Sequence, residues 1–180
     1  FANVLRSILR QDPNIILIGE IRDSETAKIA IRASITGHLV LSTLHTNNSL
    51  NTIERLLDMD VERYLLSSSL KGIISQSLAK LGIEVNETYK AIGCDKCHKG
   101  YKGRIAIQEV LYINEEIRNA INESKPREEL HKMIYKQGTL TIFQDGLMKV
   151  LDGITTIEEI FRIVDEDDDI YSNAKVKKLE

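Results

Sequence analysis

The stretch NIILIGEIRD (residues 14–23) places an aliphatic run directly before a glycine, two carboxylates and an arginine. A run of this length and composition predicts a buried β-strand over IILIG, ending just before Glu20. Charged side chains at the end of a buried strand are costly unless they face a cleft. Because ligands of open α/β sheets bind beyond the carboxyl ends of the strands, the stretch predicts a ligand site at Glu20.

A second strand is predicted over HLVLST in the stretch HLVLSTLHT (residues 38–46). The segment between the two strands, DSETAKIAIRASIT, has apolar residues at helical spacing and is predicted to be a helix capped by Asp23 or Ser24. Strands that alternate with helices in this way form parallel sheets. We therefore expect both strands to end at one edge and to present Glu20 and His45 to one cleft.

Composition narrows the class of protein. The chain has 180 residues, 42% of them hydrophobic, a net charge of -3 and no initiator methionine before Phe1. We expect a piece of a longer protein that holds one or two small domains. Without a basic block, a long apolar run or a leader, we expect no nucleic-acid partner and no membrane span. The only two cysteines lie in CDKCH (residues 94–98), which fits a reducing, cytoplasmic compartment.

The pattern of residues divides the chain into four segments. A capping-box spacing at Thr155 and Glu158 marks the start of the last predicted helix. The predicted segments are an α/β core (1–75), a cysteine-containing insert with extended stretches (76–112), a helical subdomain (113–164) and a disordered, charged tail (165–180).

The acid at the end of the first strand has two interpretations. A hydrophobic strand that ends in an acid is the Walker B arrangement, in which the carboxylate holds Mg²⁺ or orients the attacking water near a nucleotide phosphate. The alternative is structural, with Glu20, Arg22 and Asp23 forming an ion pair and a helix cap. For the isolated stretch the two are about equal, and a histidine at the end of the neighbouring strand favours the first.

The stretch ILRQDPNIILIGEIRDSETAKIAIRASITGHLVLSTLHTNNSLNTIERLLDM resembles the core of the ATPases that power type II secretion and type IV pilus assembly. The resemblance continues through GCDKCHKGYKGRIAIQEVL to about residue 164. It implies part of a RecA-like P-loop NTPase core that uses ATP with Mg²⁺. It also implies a cytoplasmic homo-hexamer, peripheral at the inner face of the bacterial cell membrane, that docks on inner-membrane platform proteins.

The resemblance also implies roles for particular residues. Glu20 matches the Walker B acid, and His38 and His45 match the family's histidine box, with His45 expected to sense the γ-phosphate. Arg22 and Asp23 are expected to support the nucleotide site.

One departure from the family concerns catalysis. No G-x-x-x-x-G-K-[ST] phosphate loop occurs in the sequence, and such an ATPase needs that loop to hold the phosphates. In the family the loop lies upstream, so we expect the longer parent protein to be an ATPase and this chain alone to be inactive. The alternative is a non-catalytic fragment that docks partners.

The other departure concerns metal. Assembly ATPases of this group usually carry two C-x-x-C pairs, whereas this chain has only Cys94 and Cys97, and nothing between Leu78 and Tyr89 supplies the first pair. Two thiolates do not complete a tetrahedral zinc site. Three interpretations remain open: a zinc site whose other ligands are not in this chain, a turn with two reduced cysteines, and c-type haem attachment through CDKCH.

Overall fold

The computed structural model describes residues 2–82, 91, 97 and 100–164. In these residues the predicted α/β fold with parallel strands is confirmed. The elements in chain order are α1 (Ala2–Leu9), β1 (Ile15–Ile18), α2 (Ser24–Ile35), β2 (Leu39–Ser42), α3 (Ser49–Asp58), α4 (Arg63–Ser69), β3 (Gly72–Gly82), β4 (Tyr101–Tyr112), α5 (Glu115–Asn122), α6 (Arg127–Lys136), α7 (Ile142–Leu151) and α8 (Ile157–Ile163).

Strands β1 and β2 form a parallel pair in which Ile15 lies opposite Leu39 and Ile18 lies opposite Ser42. Parallel neighbours need a crossover connection, and here that connection is the helix α2. The carboxyl ends of both strands therefore lie at one edge of this sheet. The segments that follow them, beginning with Gly19 and Thr43, leave the sheet side by side.

The two faces of the β1–β2 sheet differ. On one face Ile16 and Ile18 are buried and belong to the aliphatic core. The prediction of fully buried strands is wrong for the other face, where the aliphatic side chains are about half to three quarters exposed because no described element covers them. These residues are Ile15, Leu17, Leu39 and Leu41.

The contacts within the chain define two compact units. Unit 1 comprises Phe1–Ser75 and Val110–Thr139, and unit 2 comprises Gln76–Glu109 and Leu140–Glu180, of which only part is described. The predicted segments are continuous in sequence because they are based on local residue patterns. Each of these units instead combines two separate ranges of the chain, with one boundary within β3 and another within β4. Each of those strands contributes residues to both units, which no local pattern in the sequence indicates.

Strands β3 and β4 form a second two-stranded sheet. The N–H of Ile113 donates to the carbonyl of Lys71 next to the start of β3. The side chain of Leu81, near the end of β3, lies close to Gly103, near the start of β4. The two strands are therefore antiparallel.

The core of unit 1 lies between the β1–β2 sheet and the helices around it. Its aliphatic side chains are almost completely excluded from solvent, and burying each one contributes about 1.5 to 3 kcal/mol. Ile18 and Ile21, which are both buried, anchor the chain on either side of Glu20. Other members are Leu5, Ile16, Leu50, Ile53, Leu66, Ile117, Ile121 and Ile134.

Unit 2 has its own smaller core, formed by β3, β4, α7 and α8. Helices α7 and α8 approach closely at Gly146, where an added Cβ would lie 2.9 Å from the Cδ1 atom of Ile160. A side chain at this position would require the side chain of Ile160 to shift. The buried members of this core are Ala79, Ile107, Ile142, Val150, Ile160 and Val164.

Helix α8 begins one residue later than the sequence predicts. Its N-cap is Thr156, whose hydroxyl accepts from the N–H of Glu159 at 3.3 Å. The predicted pair of Thr155 and Glu158 is wrong because the hydroxyl of Thr155 donates instead to the carbonyl of Lys80 at 2.8 Å. A bond to another element thus decided which of two adjacent threonines caps the helix.

Several predictions fall outside the described residues. These are the disordered tail at 165–180, Cys94 and the histidine of CDKCH, His98.

Candidate functional site

Glu20 and His45 lie just beyond the carboxyl ends of β1 and β2. Glu20 is the second residue after β1, and His45 is the third residue after β2. The Nε2 atom of His45 lies 3.2 Å from the Oε2 atom of Glu20. Their predicted meeting at one sheet edge is confirmed by this contact, while their roles stay predictions.

Glu20 is held from two directions. The Nε atom of Arg22 lies 2.7 Å from the same Oε2 atom that His45 contacts. The hydrogen bond from Arg22 and, after it, the one from His45 lower the pKa of the Glu20 carboxyl below its ordinary value. Glu20 is therefore ionised at neutral pH, and its side chain keeps 27% of its accessible surface.

The two partners of Glu20 are mostly in solvent. The side chain of His45 is 80% exposed and that of Arg22 is 72% exposed. Exposed ion pairs contribute little to stability. The arrangement is thus an accessible carboxylate with a histidine and a guanidinium beside it, rather than a structural clamp.

Asp23 takes the structural role that one interpretation gave it. Its Oδ1 atom accepts from the N–H of Thr26 at 2.8 Å, and its Oδ2 atom accepts from the Thr26 hydroxyl at 2.9 Å. These bonds cap α2 and lower the pKa of the Asp23 carboxyl. Both carboxylate oxygens therefore serve the helix, and a role for Asp23 in nucleotide binding stays a prediction.

His38 is not brought to Glu20. It precedes β2, so it lies at the opposite edge of the parallel sheet, about four strand residues or 13 Å from the other end. The carbonyl of Ala33 accepts from the N–H of His38 at 3.2 Å and contacts its ring Nδ1 at 3.0 Å. The structure thus places His38 at the carboxyl end of α2, and its role in nucleotide sensing stays a prediction.

Thr43 is a residue of this edge that the sequence reasoning missed. Its hydroxyl donates to the carbonyl of Gly19 at 2.6 Å, and its own carbonyl accepts from the N–H of Ile21 at 3.0 Å. Its position in the sequence could have indicated this contact. Thr43 directly follows β2, and in a parallel pair that position lies beside the residue that directly follows β1.

A metal site is not formed by the described residues, among which no cluster of three or more potential ligands occurs. Cys97 is half-buried, while its predicted partner Cys94 lies outside the described residues. Zinc binding therefore stays a prediction.

The side chains at this edge are able to interact with metal ions and with phosphate. An ionised, accessible carboxylate can ligate a divalent cation or accept a proton from water, and a histidine beside it can meet a phosphate oxygen. A phosphate-binding loop of backbone N–H groups and a lysine has no matching motif in the sequence.

The parallel strands, the crossover helix and the acid at the strand end match the predicted class of protein, part of a RecA-like core. The solved structure of the pilus retraction motor PilT with bound ADP is similar, with a TM-score of 0.72 and 34% sequence identity. The similarity covers 95% of this chain and 45% of that one.

A family model described as "Type II/IV secretion system protein" matches residues 1–162. The chain belongs to this family, and the predicted relationship to the type II secretion and type IV pilus assembly ATPases is confirmed.

Two curated relatives show how much of such a protein the chain represents. It is 45% identical to the type II secretion system protein E of Dickeya dadantii, over 93% of this chain and 38% of that protein. It is also 45% identical to the type IV pilus assembly ATPase PilB of Thermus thermophilus, over 89% of this chain and 21% of that protein. The chain thus spans less than half the length of these relatives.

The alignment to the Dickeya protein runs over 188 positions, whereas the chain has 180 residues. That relative therefore has residues with no counterpart here.

In the described part of the chain, no helix has the length and apolar character that a membrane crossing requires.

Proposed function

We propose that the chain is the part of a secretion or pilus-assembly ATPase that supplies the Walker B acid and a phosphate-sensing histidine. The observation that carries this proposal is the 3.2 Å contact between Glu20 and His45, which come from the ends of adjacent parallel strands. Membership of the secretion family and the ATPase named among its relatives support it.

The residues of this edge fit ATP with Mg²⁺ in chemical terms. Mg²⁺ prefers oxygen ligands, and Glu20 offers an ionised carboxylate that keeps part of its surface. When bound, the metal would neutralise charge on the phosphates. In this proposal Glu20 holds the cation or takes the proton of the attacking water, while His45 donates to a phosphate oxygen and Arg22 donates a hydrogen bond to the Glu20 carboxylate.

The parent protein is proposed to act as a cytoplasmic homo-hexamer at the inner face of the cell membrane, docked on inner-membrane platform proteins. This part of the proposal rests on the resemblance to the family. Light scattering of the purified parent protein with and without nucleotide tests the hexameric state. A monomer under both conditions would contradict that state.

The experiment on catalysis measures steady-state phosphate release by three proteins: the parent protein, its Glu20→Gln variant and the 180-residue chain. We expect Glu20→Gln to lower turnover by about 10²-fold or more while nucleotide still binds, because the amide cannot act as base or ligand comparably. The chain alone should not turn over ATP, because its sequence has no phosphate loop.

The matched control is Glu25→Gln, an exposed glutamate of α2 that pairs with Arg6. Its turnover should equal that of the unmodified parent. Full turnover in Glu20→Gln, or strong Mg²⁺-dependent hydrolysis by the chain alone, would show that the chemistry lies elsewhere.

A second candidate function is a non-catalytic docking piece of the same machine. The observation that favours it is the exposed aliphatic face of the β1–β2 sheet, since parallel sheets are normally covered on both faces. Phosphate release by the parent protein separates the two functions, because only the first makes turnover depend on Glu20.

For the cysteine pair we propose zinc binding only when the complete polypeptide supplies further thiol ligands. Metal analysis of the parent protein and of its Cys94→Ser, Cys97→Ser variant tests this. Absence of zinc from a parent protein that carries a second C-x-x-C pair would overturn it.

A further inference from the structure

Thr43 bonds to the chain on both sides of Glu20. Its hydroxyl donates to the carbonyl of Gly19 at 2.6 Å, and its carbonyl accepts from the N–H of Ile21 at 3.0 Å. Gly19 and Ile21 are the immediate neighbours of Glu20. One residue of the neighbouring strand end therefore fixes the peptide groups before and after the carboxylate.

The two bonds differ in what they restrain. Ile21 is already anchored, because its side chain is buried in the core. Gly19 has no such anchor, since a Cβ at that position would meet nothing within 4 Å and glycine has wide backbone freedom. The hydroxyl bond from Thr43 is thus the restraint on the more mobile side of Glu20.

The same residue is close to the partner of Glu20. Thr43 precedes His45 by two residues on the segment that follows β2. A change in the distance between Gly19 and Thr43 would therefore alter the 3.2 Å contact between Glu20 and His45. The side-chain hydroxyl of Thr43 thus links the two strand ends just before the two proposed site residues, Glu20 and His45.

We propose that Thr43 is a positioning residue for Glu20, acting through its hydroxyl bond to the Gly19 carbonyl. This inference rests on the proposed function of Glu20. Valine has the shape of threonine and keeps the backbone bond to Ile21, so Thr43→Val removes only the hydroxyl bond, and Thr43→Ser restores it.

The first test uses the 180-residue chain and does not require activity. It follows by NMR the cross-peak between the Glu20 γ protons and the His45 ring proton Hε1. We expect the cross-peak in the unmodified chain and in Thr43→Ser, and its loss or marked weakening in Thr43→Val with the core methyl signals unchanged. If Thr43→Val does not fold, Thr43→Ala serves the same purpose. An undiminished cross-peak in the folded variant would overturn the inference.

The second test measures kcat and KM for phosphate release by the parent protein. A small displacement of a catalytic group reduces the rate of the chemical step, so we expect Thr43→Val to lower kcat about tenfold with KM changed less than about twofold. Thr43→Ser should restore kcat, and Thr139→Val, which alters a hydroxyl bonded to Gln137, should leave kcat unchanged. Wild-type kcat in Thr43→Val, or no recovery in Thr43→Ser, would overturn the inference.

Glu20→Gln is measured in parallel to separate this inference from the proposed function. If Glu20→Gln retains full turnover, the proposed function fails, whatever the result at Thr43. If Glu20→Gln abolishes turnover while Thr43→Val behaves as wild type, only the positioning role fails.

Discussion

Glu20 in unit 1 and Glu159 in unit 2 are both ionised carboxylates that accept hydrogen bonds from an arginine. In each case the arginine is the largest cause of a lowered carboxyl pKa. Their surroundings differ, because the side chain of Glu20 is 27% exposed and that of Glu159 only 3%.

Glu159 satisfies its oxygens within unit 2. It accepts from the Nε and Nη2 atoms of Arg162 at 2.9 and 2.5 Å, and from the backbone N–H of Lys80 at 3.0 Å. These bonds join α8 to β3. Glu20, by contrast, receives its partners at an open sheet edge, and one of them comes from another strand end.

The difference teaches that a lowered pKa and an arginine partner do not identify a functional carboxylate. Glu159 has both and is fixed inside a core. What distinguishes Glu20 is access to solvent at the carboxyl edge of a parallel sheet, with a histidine from the neighbouring strand end in contact.

The largest expected difference between the two carboxylate sites concerns turnover. We expect His45→Ala in the parent protein to lower phosphate release by about 10²-fold, because in the proposed function it removes a donor to the reacting phosphate. His131→Ala, at a partly exposed histidine that packs on Tyr135, is the matched control and should keep full turnover. Unchanged turnover in His45→Ala would show that the contact with His45 does not set Glu20 apart from Glu159 in function.

The next effect is on stability and should appear only at Glu159. Glu159→Ala leaves the N–H of Lys80 without its acceptor and Arg162 without its partner, so we expect unit 2 to lose about 2 to 3 kcal/mol of unfolding free energy. Hydrogen exchange of β3 and α8 measures it. Glu158→Gln, at the exposed neighbour, is the control, and an equal loss in both variants would show that the bonds of Glu159 do not stabilise unit 2.

A smaller effect is expected from pH. The folded-state pKa of Glu159 lies below its ordinary value, chiefly because of the bonds from Arg162. Its contribution to stability is therefore complete above the ordinary glutamate pKa, and it is lost as pH falls through the lower folded-state pKa. The protection of unit 2 against hydrogen exchange should decrease across this acidic range, and Glu159→Gln should remove that part of the pH dependence. An equal pH dependence of this protection in the unmodified chain and in Glu159→Gln would refute the assignment of the effect to Glu159.

Much of the fold around the site could be predicted from local patterns. The aliphatic run before Glu20, the helical spacing of α2 and the cap at Asp23 each act within a few residues, so the sequence contains their physical cause. The meeting of Glu20 and His45 could also be predicted, because strands joined by a crossover helix must end at one edge.

Features that depend on distant contacts could not be predicted. The choice of Thr156 over Thr155 as a cap depends on a bond between Thr155 and Lys80, which are far apart in sequence. The exposure of Leu17 depends on what covers the sheet, and an aliphatic run looks the same with or without a covering layer. Thr43 escaped notice because a hydroxyl bond to a backbone carbonyl leaves no mark in composition or periodicity.

The smallest effect concerns the titration of Glu20 alone. Arg22→Gln removes the bond that contributes most to the lowered pKa of Glu20, so we expect that pKa to rise toward its ordinary value, with part of the lowering retained through His45. Carbon-13 NMR of the carboxyl group in the 180-residue chain measures it, and no loss of unit 1 stability should accompany the change because Arg22 is exposed. Arg162→Gln is the crossed control, and it should raise the pKa of Glu159 while leaving that of Glu20 unchanged. An unaltered Glu20 titration in Arg22→Gln would mean that the Arg22 guanidinium does not hold the carboxylate in solution, and the bond from His45 would then be the cause of the lowered pKa of Glu20.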